Sequence, residues 1–320
     1  MDHTIHSINH NYIHINATQA EQSLMSFIGF RGEKDKIKAS NEKTSQVVIP
    51  LTDLAHSPEF VEDWSDGELV KIDVVDGQTE FVMAQTAQHL MLNFQCSDSP
   101  LMELVGDVYK TAYRVAQQKG FDHLIRVWNY LDQINGEEAG MERYQTFCVA
   151  RHEVLDELSQ LDQPNPAATA IGGYYGHNTF TFLFSRQKGK VIENTRQVSA
   201  WQYPSRYSPK QPRFSRAMQY GDLLLCSGTA SVVGHETIHL NDLNAQFDEC
   251  MVNIQALLDA SDILTPLSQG IYRFYLRDKA LLPCVLEKIK ALKIEQFLLL
   301  EGDICRKNLL IECEAVFQSV

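Results

Sequence analysis

Nowhere in its 320 residues does the chain string together the ~18 apolar residues that a membrane span requires. The opening residues, Met1-Asp2-His3-Thr4-Ile5-His6, have neither a basic start nor an apolar core, so no secretory signal is expected. Basic charge is short: 28 Lys and Arg stand against 41 Asp and Glu, a formal net charge of −13. That balance argues against general nucleic-acid binding, which needs a basic surface. An anionic ligand would have to be drawn in by locally clustered arginines against the overall field. The seven cysteines include no Cys-x-x-Cys pair, are odd in number and lie scattered in apolar segments. Free thiols in a reducing cytosol suit this pattern, and a cysteine zinc site is not expected.

What is present is a globular composition, 44% hydrophobic and 22% charged. The length suggests two domains. Residues 1–44 read as a polar, irregular surface extension; His3, His6, His10 and His14 are spaced almost helically there but with no clean apolar face. Strand-like runs follow at Gln46–Leu51, Glu68–Val75 and His89–Phe94, with turn chemistry at Gly67 and Asp76-Gly77. Ser99-Pro100 reads as N-cap and first turn of a helix that Gly120 ends. A strand at His123–Tyr130, a helix from about Glu137 to Leu158, and strands near Thr169–Tyr175 and Thr179–Ser185 complete one unit.

The order then repeats. Strands are expected at Gln197–Tyr203, Arg213–Met218 and Leu223–Ser227, followed by a helix from about Asp242 to Ala260. Ile271–Leu276 (strand), Ala280–Leu292 (helix), Gln296–Leu300 and Leu309–Phe317 (strands) close the second unit. The duplication implies an α+β fold, each unit a mixed sheet with two helices on one face. The linker falls near Gln187–Gly189, giving domains 1–188 and 189–320.

The last strand carries the most chemistry. Alternation puts Ile311, Cys313, Ala315 and Phe317 on one face and Leu310, Glu312, Glu314 and Val316 on the other. The two carboxylates then share a face about 6–7 Å apart. Either this is an edge strand whose glutamates meet water, or a desolvated carboxyl is kept protonated for general-acid work.

Other motifs are weaker singly. His235-Glu236-Thr237-Ile238-His239 spells HExxH, but it follows Gly234 and precedes Asn241-Asp242, so both histidines fall in a loop ahead of a helix. Ser227-Gly228-Thr229 could bring backbone amides close to an oxyanion or could be an ordinary turn. Arginine recurs beside aromatics at Arg126–Tyr130, Glu142–Phe147, Tyr203–Tyr207 and Pro212–Arg216. Bidentate guanidinium groups and aromatic walls suit an anionic ring compound.

A set of these segments carries a resemblance. Ile311-Glu312-Cys313-Glu314-Ala315 is similar to the last strand of YjgF-like (RidA-like) domains, which have a chorismate-mutase-like fold. The whole chain resembles the chorismatases, which are built from two such units. The matching segments are Arg126–Asn135 (RVWNYLDQIN), Glu142–Arg151 (ERYQTFCVAR), Pro166–Gly172 (PAATAIG), Gln197–Tyr207 around YPSRY, Pro212–Ala217 (PRFSRA), Ser227–His235 (SGTASVVGH) and Gly302–Glu312 (GDICRKNLLIE).

The resemblance implies removal of the enolpyruvyl group of chorismate as pyruvate, with Glu312 protonating the enol-ether methylene and no metal or organic cofactor. It implies that Cys305, seven residues earlier, places the chain with producers of 3-hydroxybenzoate. A dihydroxycyclohexadiene carboxylate, a mixture of 3- and 4-hydroxybenzoate, or ligand binding without turnover are the alternatives. The arginine of simpler YjgF proteins would fall at Phe297, so the substrate carboxylates must be held elsewhere. Arg151 and Arg216 are the expected carboxylate ligands, with Tyr144 and Tyr207 near the ring and the Gly228 and Thr229 amides nearby. Chorismate is the expected partner, with neither nucleic acid nor membrane; the location is expected to be cytoplasmic, and monomer and homo-oligomer both stay open.

Overall fold

The computed structural model describes residues 9–10, 23–30, 44–58, 62–65, 71–75, 80–97 and 99–319. Its principal strands are β1 (Ser23–Phe30), β2 (Thr44–His56), β3 (Lys71–Val75), β4 (Phe81–Gln85), β5 (His89–Ser97), β6 (His123–Asp132), β7 (Ala167–Gly173) and β8 (His177–Ser185). The second half adds β9 (Ala217–Tyr220), β10 (Leu223–Cys226), β11 (Ile271–Leu276), β12 (Gln296–Glu301) and β13 (Ile311–Gln318). The helices are α1 (Leu101–Gln118), α2 (Arg143–Glu157), α3 (Leu243–Asp259) and α4 (Leu282–Ala291). The fold is α+β: two mixed sheets, each carrying two of these helices on one face.

The first sheet runs Asp303–Ile304, β7, β6, β8, β5, β4, β3. The second runs through Glu62–Ser65, β1, β2, β12, β11, β13, β10 and β9 to Lys190–Ile192. Sheet membership does not follow chain order. The run at Gln46–Leu51, expected to open the first unit, lies in β2 and pairs antiparallel with β12 of the second sheet. Asp303–Ile304 crosses the other way and pairs with β7.

Three cores result. One lies between the first sheet and α1 and α2, another between the second sheet and α3 and α4. A third, with Leu51, Trp64, Trp128, Ile171, Leu225 and Leu300, fills the space between the two sheets. Both faces of the central strands are therefore buried. On β13, Ile311, Cys313, Ala315 and Phe317 enter the α3–α4 core, as alternation requires, while Val316 and the two glutamates face the other sheet. Burying a side chain such as Phe317 is worth about 1.5–3 kcal/mol.

Several local expectations need correction. Ser23–Phe30 is a strand inside the segment read as irregular. His3, His6 and His14 lie outside the described residues, and His10 sits on a two-residue strand. Pro100, with extended ψ of 117°, occupies the N-cap position of α1, and the Ser99 side chain does not cap. Glu138 accepts from the Leu101 amide instead, at 2.8 Å. The helix expected from Glu137 starts at Arg143, because Ala139 and Gly140 have φ of 52° and 81° and turn a two-residue hairpin first. The strand expected at Gln197–Tyr203 is replaced by a 3-10 turn at Ala200–Gln202. Among the described residues no helix is long and apolar enough to cross a membrane.

Candidate active site

Glu312 and Glu314 leave β13 toward the first sheet, and their surroundings differ sharply. Glu314 is enclosed by donors: it pairs with Arg126 and with Arg273 (3.0 Å), and accepts from Trp128 Nε1 (3.1 Å) and the Thr169 hydroxyl. Arg273 also reaches Glu62, at 2.6 Å, and Glu62 in turn accepts from Trp64 Nε1. The network ties both sheets to the N-terminal Glu62–Ser65 strand. Glu314 is thus a buried structural group.

Glu312 is only 5% exposed, and its side chain has no hydrogen bond or ion pair with any described residue. Burial pushes its carboxyl up to about 8, and the Glu314 charge adds to the rise; Arg126, Arg216 and Arg277 oppose it. An unpaired carboxyl on a closed strand is costly unless neutral. Here it stays neutral and faces open space.

That space is a cavity of about 610 Å³. Glu312, Gly228 and Cys305 form one end, and Tyr144, Tyr203, Tyr207 and Phe214 supply flat walls. Arg206, Arg216, Arg306 and Lys307 line it together with Glu142 and Glu236, so cations predominate there although the chain is acidic overall. Arg216 is 6% exposed, donates to Val198 O (2.8 Å) and Tyr203 Oη (2.6 Å), and leaves Nε without a partner. Its guanidinium lies over the Tyr203 and Phe214 rings. Arg306 sits 4.1 Å from the Tyr207 ring centroid and donates to His235 O. At the surface Arg206 pairs with Glu236 at 2.9 Å.

The residues named from the sequence fall unevenly. Glu312, Cys305, Arg216, Tyr144, Tyr207 and Gly228 all line this cavity. Arg151 lies behind it, on a smaller cavity that shares the Glu312 end. Thr229 is buried beside them, but its hydroxyl donates to Ser227 O at 2.8 Å and it is not among the lining residues. Burial lifts the Cys305 thiol to about 12, with the Glu312 charge adding to the rise, so it is a neutral wall group and no thiolate. His235 and His239 lie ahead of α3, as expected, and His235 contacts Arg206 and Tyr207.

The sequence reading missed what holds the 302–310 loop. Arg277 donates to Asp303, to Leu309 O (2.7 Å), to Ile304 O (3.0 Å) and to Arg306 O (2.9 Å). Gln246 on α3 adds bonds to Asn308 O and the Leu310 amide. Together they present Cys305, Arg306 and Lys307 to the cavity. Arg277 stands two residues after Tyr275, as Arg216 stands two after Phe214, so the pairing of arginine with aromatics was a signal that could have found it.

The family described as "Chorismatase FkbO/Hyg5-like, N-terminal" matches residues 62–184. A 3-hydroxybenzoate synthase of Streptomyces hygroscopicus is 35% identical over 230 residues, covering 65% of this chain and 67% of the relative. The chain belongs to the chorismatase family. A chorismatase of Streptomyces rapamycinicus is 34% identical over 228 residues, 65% of this chain and 68% of its own. A crystal structure of a chorismatase superposes with a TM-score of 0.80 at 24% identity, covering 95% of both chains, which shows a common fold.

Proposed function

We propose that this chorismatase-family chain cleaves the enolpyruvyl ether of chorismate, releasing pyruvate and 3-hydroxybenzoate, with Glu312 as general acid. The single observation that carries the reading is a buried, unpaired Glu312 carboxyl lining an aromatic-walled cavity in which cations outnumber carboxylates. An acid with proton affinity near ambient pH is matched to protonating a vinyl carbon. The proton adds to the methylene, the adjacent ether carbon becomes an oxocarbenium centre, and the Glu312 carboxylate so formed faces that positive charge. Water adds to that carbon and gives its proton back to Glu312; the bond from that carbon to the ether oxygen then breaks, the ring oxygen takes the hydroxyl proton, and pyruvate is released. Loss of water from the ring and aromatisation give the hydroxybenzoate.

The surroundings support the rest of the reading. Tyr144, Tyr207 and Phe214 present apolar faces to the ring, and Arg216 has a free Nε for a carboxylate. The name of one relative, a 3-hydroxybenzoate synthase, favours the 3-hydroxybenzoate outcome, and Cys305 agrees with it. The decisive experiment incubates the purified chain with chorismate between pH 6 and 9 and follows pyruvate. Stoichiometric pyruvate with 3-hydroxybenzoate is expected; no pyruvate at any pH would end the proposal.

A further inference from the structure

The segment that sets Cys305 in the cavity wall has little regular structure of its own. Asp303–Ile304 pairs with β7 of the first sheet, and β13 of the second sheet begins at Ile311. Between them the backbone turns on itself where Leu309 N donates to Arg306 O at 3.0 Å. The remaining backbone groups of such a half-buried turn need partners from elsewhere. Arg277, the residue that follows β11, supplies several of them.

Each nitrogen of its guanidinium is engaged. Nε donates to Leu309 O at 2.7 Å, and Nη1 pairs with the Asp303 carboxylate. Nη2 donates to Ile304 O at 3.0 Å and to Arg306 O at 2.9 Å, so one nitrogen brackets Cys305 through the carbonyls on either side of it. The Arg277 amide adds a bond to Leu310 O at 3.0 Å. Asp303 is 6% exposed and also accepts from the Tyr174 hydroxyl, which fixes the far side of the pair. The other side chains that hold the segment act elsewhere: Asn135 donates to Ile304 O at 2.8 Å, and Gln246 reaches Asn308 and Leu310. Arg277 itself is not among the residues lining the cavity. A rigid fork of donors matches this set of acceptors as a single ammonium cannot.

We propose that Arg277 is a positioning residue that sets the ring product: by bracketing Cys305 it keeps the thiol in the wall at the Glu312 end of the cavity, and through that thiol it controls the ratio of hydroxybenzoate to dihydroxycyclohexadiene carboxylate. The product half rests on the chorismate reading; the bracket does not. With the bracket loosened, the wall beside Glu312 opens and water enters where the sulfur otherwise excludes it.

Labelling of Cys305 in the full chain reads the bracket without turnover. Its thiol, held neutral by burial, should react slowly with iodoacetamide, and peptide mass spectrometry gives the rate. Arg277→Gln should raise that rate at least about tenfold, while Cys284 on α4, whose thiol donates to Asn244, should stay within about twofold and serves as reference. With chorismate, Arg277→Gln should move the product ratio at least about threefold toward the dihydroxycyclohexadiene carboxylate. In a Cys305→Ala background the same substitution should change the ratio less than about twofold, because the group it acts through is gone. Arg277→Lys keeps the charge but has one nitrogen for four acceptors, so both readouts should fall between those of Arg277→Gln and the unaltered chain. An unchanged labelling rate or product ratio in Arg277→Gln overturns the assignment, as does an equal ratio shift with and without the Cys305 thiol. So does an Arg277→Lys variant that behaves as the unaltered chain, and that variant decides the matter if Arg277→Gln does not fold. If chorismate is not turned over, the reaction reading fails and the labelling rates alone decide whether Arg277 holds Cys305.

Discussion

Gly228 stands directly against Glu312: a Cβ at position 228 would lie 2.0 Å from Glu312 Oε1. The backbone there is not left-handed, so space and not conformation demands the glycine. Gly228 N donates to Ala168 O at 3.0 Å, which pins this approach to the first sheet.

Gly228→Ala should therefore displace the carboxyl while leaving the sheets intact, because the obstructed atom ends a rotatable side chain. We expect at least a ~10-fold loss of kcat from misplacement of the acid. The melting temperature should change by only a few degrees. Equal activity in the alanine variant would show that Glu312 need not hold this rotamer.

Glu312→Gln should cost at least ~10² in pyruvate release, the usual range of a general acid. It should also stabilise the fold at alkaline pH. Unfolded, the carboxyl titrates at its ordinary value of 4.5; folded, at about 8. The unfolded state thus loses its proton first, and the unaltered protein loses stability as pH rises from about 4.5 to about 8. Glutamine removes that loss, so the difference in melting temperature should grow across this window. A difference independent of pH would contradict the raised proton affinity. In the unaltered enzyme the same titration predicts that kcat falls above about pH 8.

Glu314→Gln should act on both stability and pH profile. It strands Arg126 and leaves Arg273 to Glu62 alone, inside the inter-sheet core. Loss of one partner of such a buried pair costs about 3–5 kcal/mol, readable by denaturant titration. It also removes a negative charge that raises the proton affinity of Glu312. The alkaline limb of kcat should then move to lower pH; a limb that stays in place would show that Glu314 does not tune the acid.

Alternation on β13 was legible because a strand with small or apolar residues at 311, 313, 315 and 317 can bury only one way against helices. The depth of the other face was not. Only a second sheet makes Glu312 dry, and apart from Asp303–Ile304 that sheet is assembled from strands more than a hundred residues away. The swap of Thr44–His56 into the second sheet joins residues about 240 apart, beyond any local pattern. Helix α2 was placed but started too early, since its buried Arg143, Thr146 and Arg151 blur the apolar stripe. Arg151 shows why: that face of the helix looks into a cavity.

Cys305 belongs to the walls of both cavities. As a neutral thiol it is poorly suited to attack carbon, so its contribution is shape and exclusion of water. Cys305→Ala removes the sulfur and opens room beside Glu312 for a water, which requires polar neighbours that this corner has. Water admitted there disfavours the later loss of water from the ring, which then leaves with both oxygens retained. The product should therefore shift from 3-hydroxybenzoate toward the dihydroxycyclohexadiene carboxylate, while total pyruvate release stays within about tenfold. Chromatography of the ring products from chorismate measures the ratio directly; an unchanged ratio would remove Cys305 from product control and leave it a packing residue.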